Sequence, residues 1–284
     1  MTVGLPRSAG PVAVATGPVD VRLGDVGGNL ARIADVTRAA VADGARVVVL
    51  PELATSGYVF GSRDECRDSA ITADDPRLRA LAAALPPDGV LVVGFAERAA
   101  DRLYSSAAVV GHGGVLAVYR KTHLWGDEAD FFAPGDRPPP VVDTPVGRIG
   151  VAVCYDAEFP EVPRGLALAG ADLLALPVNW PLVPRPAGEH PPETVLAMAA
   201  ARASRLPVVI ADRVGTERGV EWTGGSAVIG ADGWILAHGQ TAELVTAVVD
   251  PDRSRDKRIG ARNDLLADRR PELYRSLTRG AAAR

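Results

Sequence analysis

The amino-acid sequence predicts an α/β protein whose strands form two sheets, each covered by helices on one face. Three observations carry that expectation. About ten short apolar runs, rich in β-branched residues and bounded by turn signals, read as strands. Four segments with apolar residues at helical spacing alternate with them. The first strand, helix and strand make a β-α-β unit, which implies a parallel pair. The chain has 284 residues, and no charge run or low-complexity linker divides them. We read residues 1–284 as one domain, with its core over about 11–250 and a peripheral arm over 251–284.

Pro11 to Thr16 is the first strand. Gly27-Gly28-Asn29 then precedes a helix patterned by Leu30, Ile33, Val36, Ala40 and Val41, and Gly44 closes it. Arg46 to Leu50 is the second strand. Glu52 follows where that strand meets its loop, the edge at which open α/β sheets place ligands. Taken alone, Glu52 reads first as a surface acid beginning a loop. Residues 61–73 are polar, and Cys66 among them reads as structural because nothing nearby would activate it. Asp75-Pro76 opens a helix through Leu78, Leu81 and Leu85. Gly89 to Gly94 and Leu103 to Val110 are strands, and the turn His112-Gly113-Gly114 returns the chain as Val115 to Tyr119. Arg120-Lys121 ends that strand. Residues 122–135 mix Trp125, Asp127, Glu128, Phe131 and Phe132 with glycine and proline, and show neither period. Their aromatic content argues for an ordered, functional loop.

The second half is organised around Ile149 to Val153, a buried strand that ends on Cys154. Pro160-Glu161 signals entry into a helix through Arg164 to Ala169. Cys154 therefore sits at a strand-to-helix turn, a setting expected to lower a thiol's pKa. A lone cysteine there also fits plain core packing. Ala171 to Leu176 is a further strand, ending at Asn179-Trp180. A proline-rich loop at 181–192 leads to a helix over Glu193 to Ser204, with Leu196 and Ala200 on its buried face. Pro207 to Ala211 is a strand, and Ser226 to Ile229 with Trp234 to Leu236 flank an Asp232-Gly233 hairpin turn. Glu243 to Val249 is the last strand. Asp264 to Tyr274 reads as a peripheral arm and Gly280 to Arg284 as a frayed end.

Composition narrows the partners. A net charge of -4 and a pI near 5.6 leave no electrostatic footprint for nucleic acid. No secretion signal and no segment of membrane-spanning length is present, so no membrane partner is expected and the chain reads as cytoplasmic. Its 2 cysteines make no disulfide framework. His112, His123, His190 and His238 are widely separated, without metal-ligand spacing, so no metal is expected.

Pro51-Glu52, Tyr119-Arg120-Lys121 and Val153-Cys154-Tyr155-Asp156 each put a polar residue at the end of an apolar strand. In that order they resemble the nitrilase superfamily of carbon–nitrogen hydrolases, over most of the chain from Pro11 to Tyr274. Supporting matches are PELATSGY at 51–58, Phe132-Ala133-Pro134-Gly135, Asn179-Trp180-Pro181, Gly224-Gly225-Ser226 and Asp268 to Tyr274. The resemblance implies an αββα four-layer sandwich of two mixed sheets and a Glu-Lys-Cys triad. Glu52 would be the general base, Lys121 the electrostatic stabiliser and Cys154 the nucleophile. Glu128 is similar to the family's second glutamate, which helps orient the lysine, with Asp127 as the alternative. Arg202-Ala203-Ser204-Arg205 departs from the Arg-Ala-x-Glu-Asn of many relatives.

The chemistry fits these residue types: hydrolysis of an amide, a poor electrophile, is easier when split through a thioester. A carboxylate can take the thiol proton and return it to the leaving ammonia. An ammonium and the Tyr155 backbone N–H can hold the oxyanion. No organic cofactor is required. Cys154-Tyr155-Asp156-Ala157-Glu158-Phe159-Pro160-Glu161 is more similar to the aliphatic amidase and ω-amidase branches than to the Cys-Trp-Glu of nitrile-hydrolysing ones. The implied substrate is a small linear amide, with an N-carbamoyl amine or a nitrile as alternatives. Tyr58, Tyr155, Glu158, Asn179 and Trp180 are expected to frame it. Two other readings remain: a Cys-His hydrolase using His123, and a non-catalytic binding protein on the same fold. The resemblance also implies a homodimer through the helices near Pro163 to Ala169 and Glu193 to Ser204, with higher assembly through the C-terminal arm.

Overall fold

Successive residues of a strand face opposite sides of its sheet, and this chain makes both sides apolar. The computed structural model describes residues 10–239 and 243–278. Its strands are β1 (Val12–Thr16), β2 (Val47–Val49), β3 (Val90–Ala99), β4 (Arg102–Gly111) and β5 (Gly114–Arg120). They continue as β6 (Val141–Thr144), β7 (Gly147–Val151), β8 (Leu173–Pro177) and β9 (Val208–Ala211). A two-stranded ribbon, β10 (Thr216–Glu217) and β11 (Val220–Glu221), precedes β12 (Ser226–Ile229), β13 (Ile235–Gly239) and β14 (Val245–Val249). The helices are α1 (Val26–Ala42), α2 (Arg63–Asp68), α3 (Pro76–Ala80), α4 (Glu128–Phe131), α5 (Glu161–Leu168), α6 (Pro192–Ser204) and α7 (Pro251–Arg255).

Two six-stranded sheets result, in the orders β14-β1-β2-β3-β4-β5 and β13-β12-β9-β8-β7-β6. Each has three parallel strands at its centre, β1-β2-β3 and β7-β8-β9, and antiparallel strands outside them. The sheets stack face to face. Val47 and Val49 share one buried cluster with Val151, Leu176 and Ile210 of the second sheet. Val48 and Leu50, pointing the other way, pack with Ile33 and Ala40 of α1 and Leu78 of α3. Leu166, Ala167, Ala197 and Ala201 of α5 and α6 close the far side. The four layers are helix, sheet, sheet, helix, as expected.

Several local expectations are corrected. α1 begins at Val26, so Gly27-Gly28-Asn29 lies inside its first turn. The Asp25 carboxylate starts the helix early by accepting from the Gly28 N–H at 3.0 Å. Residues 63–68, read only as polar, form α2, capped by the Ser62 hydroxyl on the Glu65 N–H. β6 was not anticipated, and the prolines at 138–140 hide its start. The face of α6 is also different. Thr194, Ala197, Ala201 and Ser204 are buried, whereas Leu196 is 43% exposed and Ala200 half-buried. Small residues at that 3-4-3 spacing let the helix lie close on its sheet, which leaves the larger Leu196 outside. The arm at 264–274 lies at the surface, and Gly280 to Arg284 fall outside the described residues.

Candidate active site

The polar residues singled out at strand ends converge between the two sheets. Glu52 follows β2, and its backbone crosses directly over β3 at Gly94. Any side chain at Gly94 would collide with the Cα of Glu52. The Asn179 side chain, beyond β8, donates to the Glu52 carbonyl at 2.9 Å and ties the two sheets' loops together. Lys121 follows β5. Its own N–H donates to Ser105 O and its carbonyl accepts from Gly135, both at 2.8 Å, and a Cβ at Gly135 would strike Arg120.

The Lys121 ammonium donates to Glu52 Oε1 at 2.9 Å and to Glu128 Oε1 at 2.7 Å. The Ser105 hydroxyl also donates to Glu52 Oε1, at 3.0 Å. Tyr58 donates its hydroxyl to Glu128 Oε1 at 2.6 Å, and the Trp125 N–H reaches Glu128 Oε2 at 2.9 Å. Side chains of Glu52 and Lys121 are wholly buried. Glu128, and not the exposed Asp127, is therefore the lysine's second carboxylate.

Cys154 follows β7 with φ at +49°, a region L residues seldom occupy. Its side chain turns out of the strand into this buried set, and only 6% of the residue is exposed. Residues 154–158 form one 3₁₀ turn before α5. Within it, Asp156 is a hub that sequence reasoning missed. It accepts from the Tyr119 and Thr122 hydroxyls at 2.8 and 3.0 Å, from the Val153 and His123 N–H groups at 3.0 and 3.1 Å, and lies 2.7 Å from His123 Nδ1. Tyr119 and Thr122 flank Lys121, so one carboxylate couples the lysine's strand end to the cysteine's. His123 stacks on Phe159 with centroids 3.9 Å apart. Its polar contacts are with Asp156 and Thr122.

A second missed hub is Asp212, which follows β9 as Glu52 follows β2. It accepts backbone N–H groups of Trp180, Arg213 and Gly225 at 3.0, 2.8 and 2.7 Å. That fixes Trp180, whose indole packs against Gly225. The strand-end pattern that selected Glu52 would have found Asp212 too. Of the expected framing residues, Tyr58 and Asn179 bond the site directly. Tyr155 packs between Trp125 and Phe159 at 4.9 and 5.0 Å. Glu158 is half-buried beside Glu193 of α6.

Burial dominates the electrostatics. It pushes the Glu52 carboxyl up to about 7, with the Lys121 charge opposing it. Burial works against charge on Lys121 as well, but Glu52, Cys154 and Glu128 outweigh it and hold the ammonium above its ordinary range. The expectation of a depressed thiol is reversed. Burial first, then the Glu52 carboxylate, push Cys154 well above the usual thiol value, and Lys121 with the Asn179 N–H only partly offset them. One short 3₁₀ turn does not outweigh desolvation beside two carboxylates. Burial thus favours the thiol form of Cys154, beside the Glu52 carboxyl. Cys66 is also buried, pushed up to about 12, as a structural thiol should be. Asp212 is raised to about 7 by burial, against its three backbone donors.

Among the described residues, no three or more His, Cys, Asp or Glu side chains are grouped to hold a metal, and no helix is long and apolar enough to cross a membrane. A family model described as carbon-nitrogen hydrolase matches residues 11–259. A nitrilase of Pyrococcus abyssi is 37% identical over 253 residues, 87% of this chain and 92% of that protein. An (R)-stereoselective amidase of Pseudomonas sp. is 34% identical over 251 residues, 88% of each. The crystal structure of an amidase from Nesterenkonia sp. superposes with a TM-score of 0.77 at 28% identity, covering 97% of this chain and 100% of that one. A mutant of that amidase shows the product of Michael addition of acrylamide at its active site cysteine.

Proposed function

This chain belongs to the carbon–nitrogen hydrolase family, and from that premise we propose that it hydrolyses a small linear amide to a carboxylic acid and ammonia through a Cys154 thioester. The observation that carries the reading is the buried Lys121 ammonium, bonded to both Glu52 and Glu128 in the pocket that receives Cys154. A cation held so firmly has one obvious use, the stabilisation of negative charge that develops nearby.

Cys154 Sγ attacks the amide carbonyl carbon while its proton passes to Glu52. The oxyanion is met by Lys121 and the Tyr155 N–H. Collapse breaks the C–N bond, and Glu52 returns the proton so that ammonia leaves. Water then adds to the thioester with Glu52 taking its proton, and expulsion of the reprotonated thiol releases the acid. Glu52, near 7, is suited to both directions of transfer. The acrylamide adduct on the Nesterenkonia enzyme's cysteine supports a nucleophile in this role. A Cys-His mechanism has less support, because His123 is committed to Asp156. We place the reaction in the cytoplasm, where Cys66 and Cys154 stay reduced.

Ammonia release from small amides, N-carbamoyl amines and nitriles tests the reading, with the Cys154→Ala protein as control. Amide turnover in the wild type and none in Cys154→Ala is expected. Full activity in Cys154→Ala sinks the thioester route, and preferential turnover of a ureide or nitrile replaces the substrate class.

We further propose a homodimer formed by α5 and α6. Leu168, Val195 and Leu196 on these neighbouring helices are 46%, 49% and 43% exposed, and a second copy of the same face would cover them.

A further inference from the structure

We propose that the cavity next to Glu128 is a subsite for an uncharged aromatic ring carried by the acyl part of the substrate; this rests on the amidase reading above and narrows it. The cavity has a volume of about 280 Å³ and is walled by Tyr58, Phe60, Trp125, Phe131, Phe132 and Trp222. An apolar cavity of about 150 Å³ is enough to hold benzene, so this one takes a ring with a short linker.

Two features join the cavity to the reacting groups. Glu128 forms part of its wall and is bonded to Lys121 at 2.7 Å. Trp125, on the same wall, touches Tyr155, the residue after Cys154, with ring centroids 4.9 Å apart. A short acyl chain leaving the carbonyl therefore has this space within reach.

The walls favour a ring. Tyr58 meets Trp222 edge to face at 5.5 Å, and Phe60 meets Phe132 the same way at 6.1 Å. A further ring entering between such pairs continues the edge-to-face pattern that aromatic rings prefer. The wall is also built firmly. Glu217 accepts the Tyr58 and Val59 N–H groups at 2.8 and 2.7 Å and is paired with Arg213, which lies over the Trp222 ring at 4.9 Å.

Charge at the walls opposes an anionic tail. Glu128 and Asp127 oppose a carboxylate. Arg213 already occupies one face of Trp222, which weakens that ring's attraction for a second cation. An uncharged ring is the tail that these aromatic walls fit, and the amine-ended amide is compared with it directly.

The test compares propionamide with 3-phenylpropionamide and with chains of similar length ending in an amine or a carboxylate. Wild-type kcat/KM and calorimetric binding to the Cys154→Ala protein are both read. The phenyl amide should exceed propionamide at least about tenfold in kcat/KM, a ratio typical of a filled apolar pocket. Val220→Trp, which places an indole into the cavity wall, should abolish that advantage. Equal kcat/KM for the two amides, or preference for either charged tail, overturns the subsite while leaving the amidase reading intact. Binding of the phenyl amide without any amide turnover in the wild type does the reverse.

Discussion

Tyr58 and Lys121 donate to the same oxygen of Glu128, at 2.6 and 2.7 Å. The other Glu128 oxygen is held by the Trp125 N–H. A short helix in an otherwise irregular loop thereby fixes an ammonium that Glu52 holds from the opposite side. Both charges are out of water, so each group depends on the others for its ionisation.

Removing the cation should expose that dependence. Lys121→Gln leaves Glu52 and Glu128 as buried carboxyls without a counter-charge, and the Glu128 charge already raises the cost of ionising Glu52. The expected loss of stability is about 3–5 kcal/mol at pH 8, with turnover down by at least about 10²-fold. A carboxyl whose folded pKa is raised contributes stability below its unfolded pKa and loses it as pH rises through the folded value. The variant's deficit should therefore be smaller at pH 5 than at pH 8. Urea unfolding at the two pH values checks this, and an equal deficit at both would show that the carboxyls stay unprotonated.

In the proposed mechanism Glu52 sets the acid limb of activity. Burial pushes it up to about 7, and the carboxylate form is the one that accepts the Cys154 proton. Turnover should fall as pH drops through about 7, by about tenfold per unit below it. A pH–rate profile on propionamide that stays flat down to pH 5 would remove Glu52 as the base. Glu52→Gln should be inactive throughout.

The strands and the residues at their ends were legible because they depend on local signals: apolar runs, punctuation by glycine and proline, and an acid or lysine following. Glu52, Lys121 and Cys154 stand out in this way, Glu128 was named only through the family resemblance, and the structure brings all four together. Asp156 was not assigned a role, since a hub is defined by donors from 3 to 37 positions away. The thiol's pKa was misjudged for a related reason. A turn is visible in sequence, but the desolvation and the Glu52 charge that outweigh it exist only after the sheets stack. Leu196 went wrong because alternative helix faces carry similar apolar content, and only contact with the sheet selects between them.

Asp156 and His123 should respond differently to alanine. Asp156→Ala strands the Val153 N–H in the interior, at about 1–3 kcal/mol for an unsatisfied group, and leaves the Tyr119 hydroxyl with Thr122 as its remaining partner. It should destabilise the fold and lower kcat by loosening Lys121 relative to Cys154. His123→Ala removes a ring that is one-third exposed and stacked on Phe159, and kcat should stay within about tenfold of wild type, less than the 10²–10⁴ lost with a true general base. Steady-state kinetics with thermal melts of both variants separate the cases. Loss of activity in a well-folded His123→Ala protein would restore histidine as the base.

The dimer is tested by charge at its proposed centre. α6 turns Thr194, Ala197 and Ala201 inward and presents Val195 and Leu196 outward, and α5 adds Leu168. Burying such side chains contributes about 25 cal/mol per Å² of apolar area, and a two-fold axis would apply each gain twice. Leu196→Glu leaves the buried face of α6 unchanged, because Thr194, Ala197, Ala201 and Ser204 form that face and Leu196 lies outside it. It would place like charges close together at a symmetric interface and remove that apolar area from it. Light scattering at micromolar concentration should give twice the 29.6 kDa chain mass for the wild type and a mass near one chain for Leu196→Glu. The variant's melting temperature, extrapolated to dilute protein, should match the wild type's, since the substitution acts on association alone. A wild-type mass of one chain would exclude the dimer, and a Leu196→Glu protein that remained dimeric would move the interface away from α6.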